Sequence, residues 1–486
     1  MAVAERIDAI VVGGGPNGLV GAITLARAGL AVRVYEAAPT VGGGAQTGEL
    51  TLPGFRHDIC SAVHPLGAGS PVLRSLPLHE HGLSWIQPEL PLAHPLPGAS
   101  AAVLSRSIDE TTASLADDGG RYRRLVGPFA DRWDELAAEA LRPVLGTMPR
   151  HPLLLARFGV IGILPASTLA RRMRGAGTRA LLAGLAAHAI APLTSPATGG
   201  TAMLFALAAH AVGWPIPLGG SQSIADALAS YLRALGGEIV TGVRVGSLDE
   251  LPAASAYLLD VAPWNVEAIA GRRLPTRYLE RLRRYRHAPG VFKLDFALDG
   301  PVPWTDETCS RAGTVHIGAS FEEIAAALSA ATTGRLPDPP FLIAAQPSLF
   351  DATRAPEGKH TFWVYAHVPF GWDGDFSEAI ERQIEHFAPG FRDRVLARAA
   401  TGPAELEARN ANNIGGDIAG GAFSGLQTFF RPVLAAVPYA TPDRTVYLCS
   451  SATPPGPGVH GMCGYHAARV ALRRVFGRGA TASSTL

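Results

Sequence analysis

The residues best placed to do chemistry form a short glycine run near the N-terminus. Gly13-Gly14-Gly15-Pro16-Asn17-Gly18 has the spacing G-x-G-x-x-G, between the apolar run IDAIVV and a helical pattern that opens at Pro16. In a strand–turn–helix unit these glycines have separate jobs. Gly13 allows the tight turn, Gly15 lets backbone approach a pyrophosphate, and Gly18 lets the helix pack close to the strand. A helix that starts with Pro16 and Asn17 offers free N–H groups and its positive dipole end to phosphate. Glu36 closes the next strand pattern, AVRVYE. A carboxylate there accepts hydrogen bonds from both ribose hydroxyls and repels a 2′-phosphate, which argues against NADP. This motif does not separate NAD from FAD. A second glycine cluster, Gly42-Gly43-Gly44, followed by Thr47, suits a bulky dinucleotide that extends across the sheet edge.

The second candidate is a lysine. Among 42 basic residues only Lys293 and Lys359 are lysines. Lys293 lies in GVFKLDFALDG, where alternation puts Phe292, Leu294 and Phe296 on one strand face and Lys293 and Asp295 on the other. An amine can lose its proton and order a water, whereas guanidinium effectively cannot. The same residues also read as a solvated Lys293–Asp295 pair. Lys359, in an APEGKH turn, reads as surface. The four cysteines include no C-x-x-C, so a dithiol centre is not expected, and their scarcity suits a reducing compartment. Cys449, His460, Cys463 and His466 include metal-ligand residue types, but they fall within the C-terminal Gly/Pro-rich loop and its helix, so no metal is expected. His316, Tyr365 and His367 lie in strand patterns and could face a substrate or pack in a core. Neither a G-x-S-x-G motif nor a P-loop is present.

These groups need elements to position them. Residues 7–12 and 31–36 read as parallel strands joined by a helix over 16–29. Segments 121–140 and 167–213 carry apolar residues at helical spacing. The run 178–213 reads as a buried helical layer or, more sharply, as a helical cap that lines an apolar substrate cavity or touches a membrane surface. Strands are predicted over 290–298, 313–318, 360–368 and 444–450, and helices over 376–387 and 461–475. At 486 residues, 17% charged and with net charge +1, the chain has ample core, is not disordered, and gives no electrostatic case for nucleic acid. No apolar run is long enough to span a bilayer and no secretory leader is read, which makes the cytoplasm the expected location.

The run EAAPTVGGGAQTGELTLPGFRHD and the tail YLCSSATPPGPGVHGMCGYHAARVAL resemble the two terminal motifs of phytoene desaturase-like FAD-dependent oxidoreductases. These belong to the wider amine oxidase and Rab GDP-dissociation-inhibitor fold group. The middle pieces PLGGSQSIADALASYLRALGGEI and QPSLFDATRAPEGKHTFWVY match as well, so the resemblance covers nearly the whole chain. It implies an α/β fold: a discontinuous Rossmann-like FAD domain plus an amine oxidase-like substrate domain with a mixed sheet and helical cap. The expected division is 1–75, 215–288 and 425–486 for the FAD domain, 76–214 for the cap, and 289–424 for the substrate sheet. By resemblance, Gly13, Gly15 and Gly18 face the pyrophosphate and Glu36 the ribose. Val243 lies by the adenine, and Ser450, Gly458, Val459, Gly461 and Met462 lie along the flavin and pyrophosphate. Many relatives have Gly-Gly-Arg where this chain has Gly43-Gly44-Ala45, so one phosphate or flavin contact is missing. Lys293 corresponds to a strand lysine that, in monoamine oxidases, reaches a water near flavin N5. The implied activity is hydride removal from a hydrophobic small molecule to FAD, leaving a double bond, with quinone or oxygen as acceptor. The fold group also leaves amine oxidation, redox-neutral isomerisation and a non-catalytic, partner-binding role open. A mitochondrial member of the family is the counter-example to a cytoplasmic location.

Overall fold

The computed structural model describes residues 7–144 and 148–478. The strands of its two large sheets, in chain order, are β1 (Ala9–Val12), β2 (Val32–Tyr35), β3 (Leu90–Leu96), β4 (Ala99–Leu104), β5 (Glu238–Val240), β6 (Ala256–Leu259), β7 (Gly290–Leu298), β8 (Ala312–Ile317), β9 (Leu342–Ala345), β10 (His360–Val368), β11 (Val395–Thr401) and β12 (Val446–Leu448). The helices used below are α1 (Pro16–Ala26), α2 (Trp133–Ala140), α3 (Pro152–Gly162), α4 (Ala176–Ala187), α5 (Thr198–Val212), α6 (Gln222–Ala234), α7 (Ser377–Phe387) and α8 (Met462–Arg474).

A five-stranded parallel sheet has the order β12-β6-β1-β2-β5, so its strands come from widely separated parts of the chain. Every residue of β1 and β6 is buried, as expected where helices cover both faces of a parallel sheet. This is the expected α/β architecture with a discontinuous dinucleotide-binding unit.

A seven-stranded mixed sheet has the order β11-β7-β10-β9-β8-β3-β4. Two of its strands, β3 and β4, come from 76–214, the stretch expected to form the helical cap, in a part of it where no strand was expected. Pro91 and Pro95 and the short alternating stretch disguised β3 (LPLAHPL) as irregular chain. The helical readings also shorten. The first helix stops at Ala26, and 167–213 divides around Pro192 and Pro196 into shorter helices that include α4 and α5. The segment 178–213 forms a buried helical layer that also lines a cavity: α4 is buried along most of its length, and α5 buries one side and turns the other to a cavity.

Helix α1 crosses α8 at very close range. A Cβ added at Gly464 would lie 1.8 Å from the Asn17 carbonyl oxygen, and one at Gly18 would lie 2.0 Å from that of Gly13. Gly464 is therefore as much a part of the nucleotide cradle as the fingerprint itself. Overpacking of this kind typically costs about 1–3 kcal/mol, and more where backbone is the obstacle. Gly464→Ala is expected to lower the thermal midpoint of the apo-protein by several degrees in a calorimetric scan, with Gly120→Ala as a control at an exposed helical position.

Candidate functional site

A cavity of about 1240 Å³ runs from the carboxyl ends of the parallel strands to the mixed sheet and the helices above it. Its first arm lies at the strand-end position where doubly wound sheets bind nucleotides. Gly13 (φ +105°) turns the chain out of β1, and Gly43 (φ +54°) comes so close that a Cβ would sit 3.1 Å from Gly15 Cα. The two glycine clusters thus form one narrow backbone cradle. Glu36 Oε2 accepts the Gly14 N–H at 2.6 Å, and Oε1 accepts that of Ala38 at 2.8 Å. The Val243 N–H bonds the Glu36 carbonyl at 2.9 Å, which brings Val243 to the outer end of this arm.

Of the cofactor residues expected from sequence, Gly13, Gly15, Pro16, Asn17, Glu36, Gly43, Val243, Gly458 and Val459 line the cavity. Gly18, Gly42, Thr47, Ser450, Gly461 and Met462 stand behind its wall. Thr47 donates to Asp58 Oδ1 (2.8 Å) and accepts the Gln222 N–H (3.1 Å), tying the second glycine loop to the start of α6. Gly42 donates to the Gly14 carbonyl at 3.0 Å. Ser450 accepts the Thr453 N–H at 2.8 Å, and the Met462 N–H donates to His460 Nδ1 at 3.0 Å. A Cβ at Gly461 would lie 2.5 Å from Val20. The other C-terminal residues considered as ligands have partners of their own: the Cys463 thiol reaches the Thr453 and Gly456 carbonyls, and His466 Nε2 donates to the Leu141 carbonyl.

Asp260 was not singled out from sequence. It ends β6 as Glu36 ends β2, and its Oδ2 accepts the Gly18 N–H at 2.9 Å. The cue was available: AYLLD is an apolar strand with an acid at its carboxyl end. Burial, with Glu36 as a further negative neighbour, pushes Asp260 up to about 7 despite that hydrogen bond. Asn412 clamps it from the far side, its Nδ2 donating to the Asp260 carbonyl at 2.9 Å. Arg431 also lines the cavity, its Nη2 held by the Gly421 carbonyl at 3.1 Å while Nε has no partner. The glycine cradle gives backbone donors, and Arg431 with its unpartnered Nε gives a cation, where a pyrophosphate would lie, so the residues present fit a dinucleotide.

The second arm is apolar. Phe158, Leu204, Phe205, Trp214, Ile343 and Trp363 form much of its wall, with Tyr365 beside Trp363. Its polar groups are neutral. His188 Nε2 lies 3.2 Å from His316 Nε2, and burial drives His188 down to about 3 and His316 well below its ordinary value, so two neutral rings share the contact. His316 packs against Gly184, where a Cβ would lie 2.3 Å from its Nδ1. Thr314 Oγ1 and Trp363 Nε1 are buried without partners.

Lys293 is not a solvated strand lysine: it is 2% exposed and ion-paired with the fully buried Asp295. Nor does it line the cavity. It stands one layer back, its Nζ 5.8 Å from the centre of the Trp363 ring, while Cys60 and Trp363 form the wall in front. Burial lowers Lys293 and raises Asp295, each opposed by the other's charge. His57 Nδ1 approaches Asp295 Oδ1 at 3.6 Å, and its Nε2 meets Thr51 Oγ1 at 2.7 Å. Burial, then the charges of Lys293 and Arg354, bring His57 down to about 3. Asp58 pairs with the buried Arg354 at 2.6 Å. Lys359, by contrast, pairs with Asp299 on the surface.

Residues 11–76 match the family model of the NAD(P)-binding Rossmann-like domain. Pyridine nucleotide-disulfide oxidoreductase domain-containing protein 2 of Mus musculus is 28% identical across 96% of this chain and 93% of its own length. Phytoene dehydrogenase of Streptomyces griseus is 26% identical across 84% and 80%. The chain is a homologue of the phytoene desaturase-like FAD oxidoreductases. In three dimensions, cyclohexylamine oxidase from Brevibacterium oxydans superposes with a TM-score of 0.59 at 13% identity, over 97% of this chain and 99% of its own, which shows a shared amine oxidase-like fold. Cys60, Cys309, Cys449 and Cys463 are all free thiols.

Two measurements test this geometry. Removing one member of a buried ion pair typically costs about 3–5 kcal/mol, whereas replacing both with apolar residues costs far less. Asp295→Asn is therefore expected to lower stability sharply in urea titrations, and Lys293→Met/Asp295→Leu to recover most of the loss. Asp260 is raised on folding, from an ordinary 3.8 to about 7, so the native state holds its proton more tightly than the unfolded chain. Its contribution is fully present below pH 4 and is lost as pH rises through 7. Against wild type, apo Asp260→Asn should show a flatter dependence of unfolding free energy on pH between those limits.

Proposed function

We propose that this protein is an FAD-dependent oxidoreductase of desaturase or dehydrogenase type, acting on a hydrophobic small molecule seated in the apolar arm. The observation that carries the reading is continuity: the glycine cradle and the apolar arm are two ends of one cavity. In this assignment Gly13, Gly15 and Gly43 bring backbone against the pyrophosphate, with Arg431 as counter-charge. Glu36 takes the adenosine ribose, Val243 the adenine edge, and Gly458 and Val459 the ring end. FAD, when bound, supplies the hydride acceptor of the chemistry.

The chain's own residues supply orientation and dryness. Phe158, Leu204, Phe205 and Ile343 exclude water around an apolar body. The Trp363 Nε1–H, donor only, and the Thr314 hydroxyl ask for one hydrogen-bonding acceptor on that body. The imidazoles of His188 and His316, held neutral, add polarity without charge. We assign Lys293 a positioning role, since it acts on the reacting region through the wall of Cys60 and Trp363. Oxygen or a quinone is the assigned electron acceptor.

The purified protein is expected to carry flavin absorption bands that bleach with dithionite, and to return to the oxidised spectrum faster with a quinone or oxygen than in buffer alone. A colourless protein that also fails to take up added FAD would overturn the assignment. Glu36→Gln should weaken FAD binding by about tenfold to a hundredfold, the range for losing a charge-assisted hydrogen bond. Anaerobic bleaching by polyenes or lipid-like alkanes, with simple amines inactive, is the expected substrate pattern. Lys293→Met should shift the pH profile of flavin reduction or reoxidation; unchanged profiles in a fully loaded variant would remove Lys293 from the mechanism.

A further inference from the structure

Two buried carboxylates stand behind the wall of the apolar arm, and their oxygens are finished differently. Asp58 has both engaged: Oδ1 accepts from Thr47 Oγ1 and from the Ser221 N–H, each at 2.8 Å, and Oδ2 accepts from Arg354 Nη2 at 2.6 Å. Asp295 has one engaged. Its Oδ2 accepts from Lys293 Nζ, while Oδ1 has no hydrogen-bond partner. That oxygen faces His57 Nδ1, which is equally without a hydrogen bond, at 3.6 Å. Both side chains are sealed from solvent. Leaving a buried polar atom unpaired costs about 1–3 kcal/mol, so two that face each other across a gap just too long for a hydrogen bond call for a role. A proton on either atom turns that gap into a hydrogen bond.

The two ion pairs also differ in what they can pass on. Guanidinium effectively never gives up its proton, so Arg354 fixes Asp58 for good. An amine, a carboxyl, an imidazole and a hydroxyl can each accept a proton and release one. Those four groups follow one another here. Tyr365, the cross-strand neighbour of Lys293, lines the cavity. Lys293 pairs with Asp295, Asp295 faces His57 Nδ1, and His57 Nε2 meets Thr51 Oγ1 at 2.7 Å. Thr51 is half-buried, and Leu52, Pro53 and Gly54 after it are exposed. The series runs from the cavity wall to a surface turn.

We propose that Lys293, Asp295, His57 and Thr51 form a proton relay between the apolar arm and solvent. The relay is a property of these four side chains; its use in turnover rests on the function proposed above. Removing two hydrogens from neighbouring carbons sends one to FAD with its electron pair and leaves the other as a proton, while the electron pair of that second C–H bond becomes the new double bond. An apolar arm gives the proton nowhere to stay. As it joins the Lys293–Asp295 pair, Asp295 gives one to His57 Nδ1, His57 gives one from Nε2 to Thr51, and Thr51 hands one to water. No electron crosses the relay. A quinone reduced afterwards needs one proton beside the hydride it receives, and the relay running inward supplies it and restores the first tautomer of His57.

The test uses the scarcity of lysine. Growth on lysine labelled with the NMR-active nitrogen isotope places probes at Lys293 and Lys359 only. Lys359, paired with Asp299 at the surface, is the internal reference. The measurement is exchange of the Lys293 Nζ hydrogens with water in the full chain, with and without FAD. Thr51→Val and His57→Gln are expected to slow it by about a hundredfold, the low end for losing a positioned proton carrier. Thr51→Ser, which keeps the hydroxyl, should retain the wild-type rate, with Lys359 exchange and melting temperature unchanged in all three. In the loaded protein, reoxidation of reduced flavin by menadione should slow in the same two variants and recover in Thr51→Ser. Unchanged Lys293 exchange in Thr51→Val, or equal slowing in Thr51→Ser, overturns the relay. Slowed exchange with reoxidation at the wild-type rate removes it from turnover. A protein that takes up no FAD but shows the exchange pattern would sink the function and leave the relay standing.

Discussion

Successive side chains of a strand leave opposite faces of its sheet, and in the seven-stranded sheet that period of two separates stability from chemistry. On one face Phe292, Leu294 and Phe296 of β7, Leu342 and Ala344 of β9, and Phe362 and Val364 of β10 form a closed apolar core with α7. On the other, the register sets His316, Ile343, Tyr365 and Lys293 in one row across four strands, with Trp363 opposite Asp295 in the next. A one-residue slip in any of these strands would exchange the faces, putting the ion pair into hydrocarbon and phenylalanines into the site. The apolar face fixes the register, and the register delivers the reactive row to the cavity.

That row survives burial because its charges answer one another. Lys293 with Asp295, and Arg354 with Asp58, are two ion pairs sealed from water, with His57 between them and kept neutral. Such pairs contribute little net stability compared with apolar replacements. Their presence behind Trp363 and Cys60 sets a dipolar field at the cavity wall without exposing a charge to the substrate arm. The wall itself presents a ring N–H, a hydroxyl and paired neutral imidazoles. The cradle is different: it concentrates backbone donors, Arg431, and Asp260, which is itself poised near neutrality. Anionic and apolar parts of a bound pair of molecules thus meet matching ends of one cavity.

The legible parts of this architecture were those encoded within a few residues. The glycine fingerprint, Glu36 at its strand end and the alternation of GVFKLDFAL are local patterns, and each took the expected conformation. What stayed hidden depends on contacts distant in sequence. The depth of Lys293 is set by β10, β11 and the short strand Arg56–Asp58 that carries His57, none of which its neighbours reveal. Asp260 becomes a cradle residue only because β6 pairs beside β1. β3, interrupted by Pro91 and Pro95, is a strand because β8 supplies a partner, and β4 is a strand because β3 does. The glycines behind the cavity were assigned to the ligand because their type fits a phosphate turn. Gly18, Gly461 and Gly464 instead meet other backbone and Val20, a role equally served by having no side chain.

The same physical economy explains the position of α3. An apolar arm needs an entrance, and an entrance lined by apolar groups exposes them to water unless something covers it. The acid-free stretch, residues 140–225, that supplies α3 also supplies α4 and α5, the inner wall around His188. Excluding carboxylates there keeps this part of the arm free of negative charge that would need a buried partner, and Glu139, the acid just before the stretch, is held by Arg142 and by the Arg150 and His151 N–H groups. One compositional bias therefore serves both sides of the wall: neutrality within the arm and positive charge around its mouth.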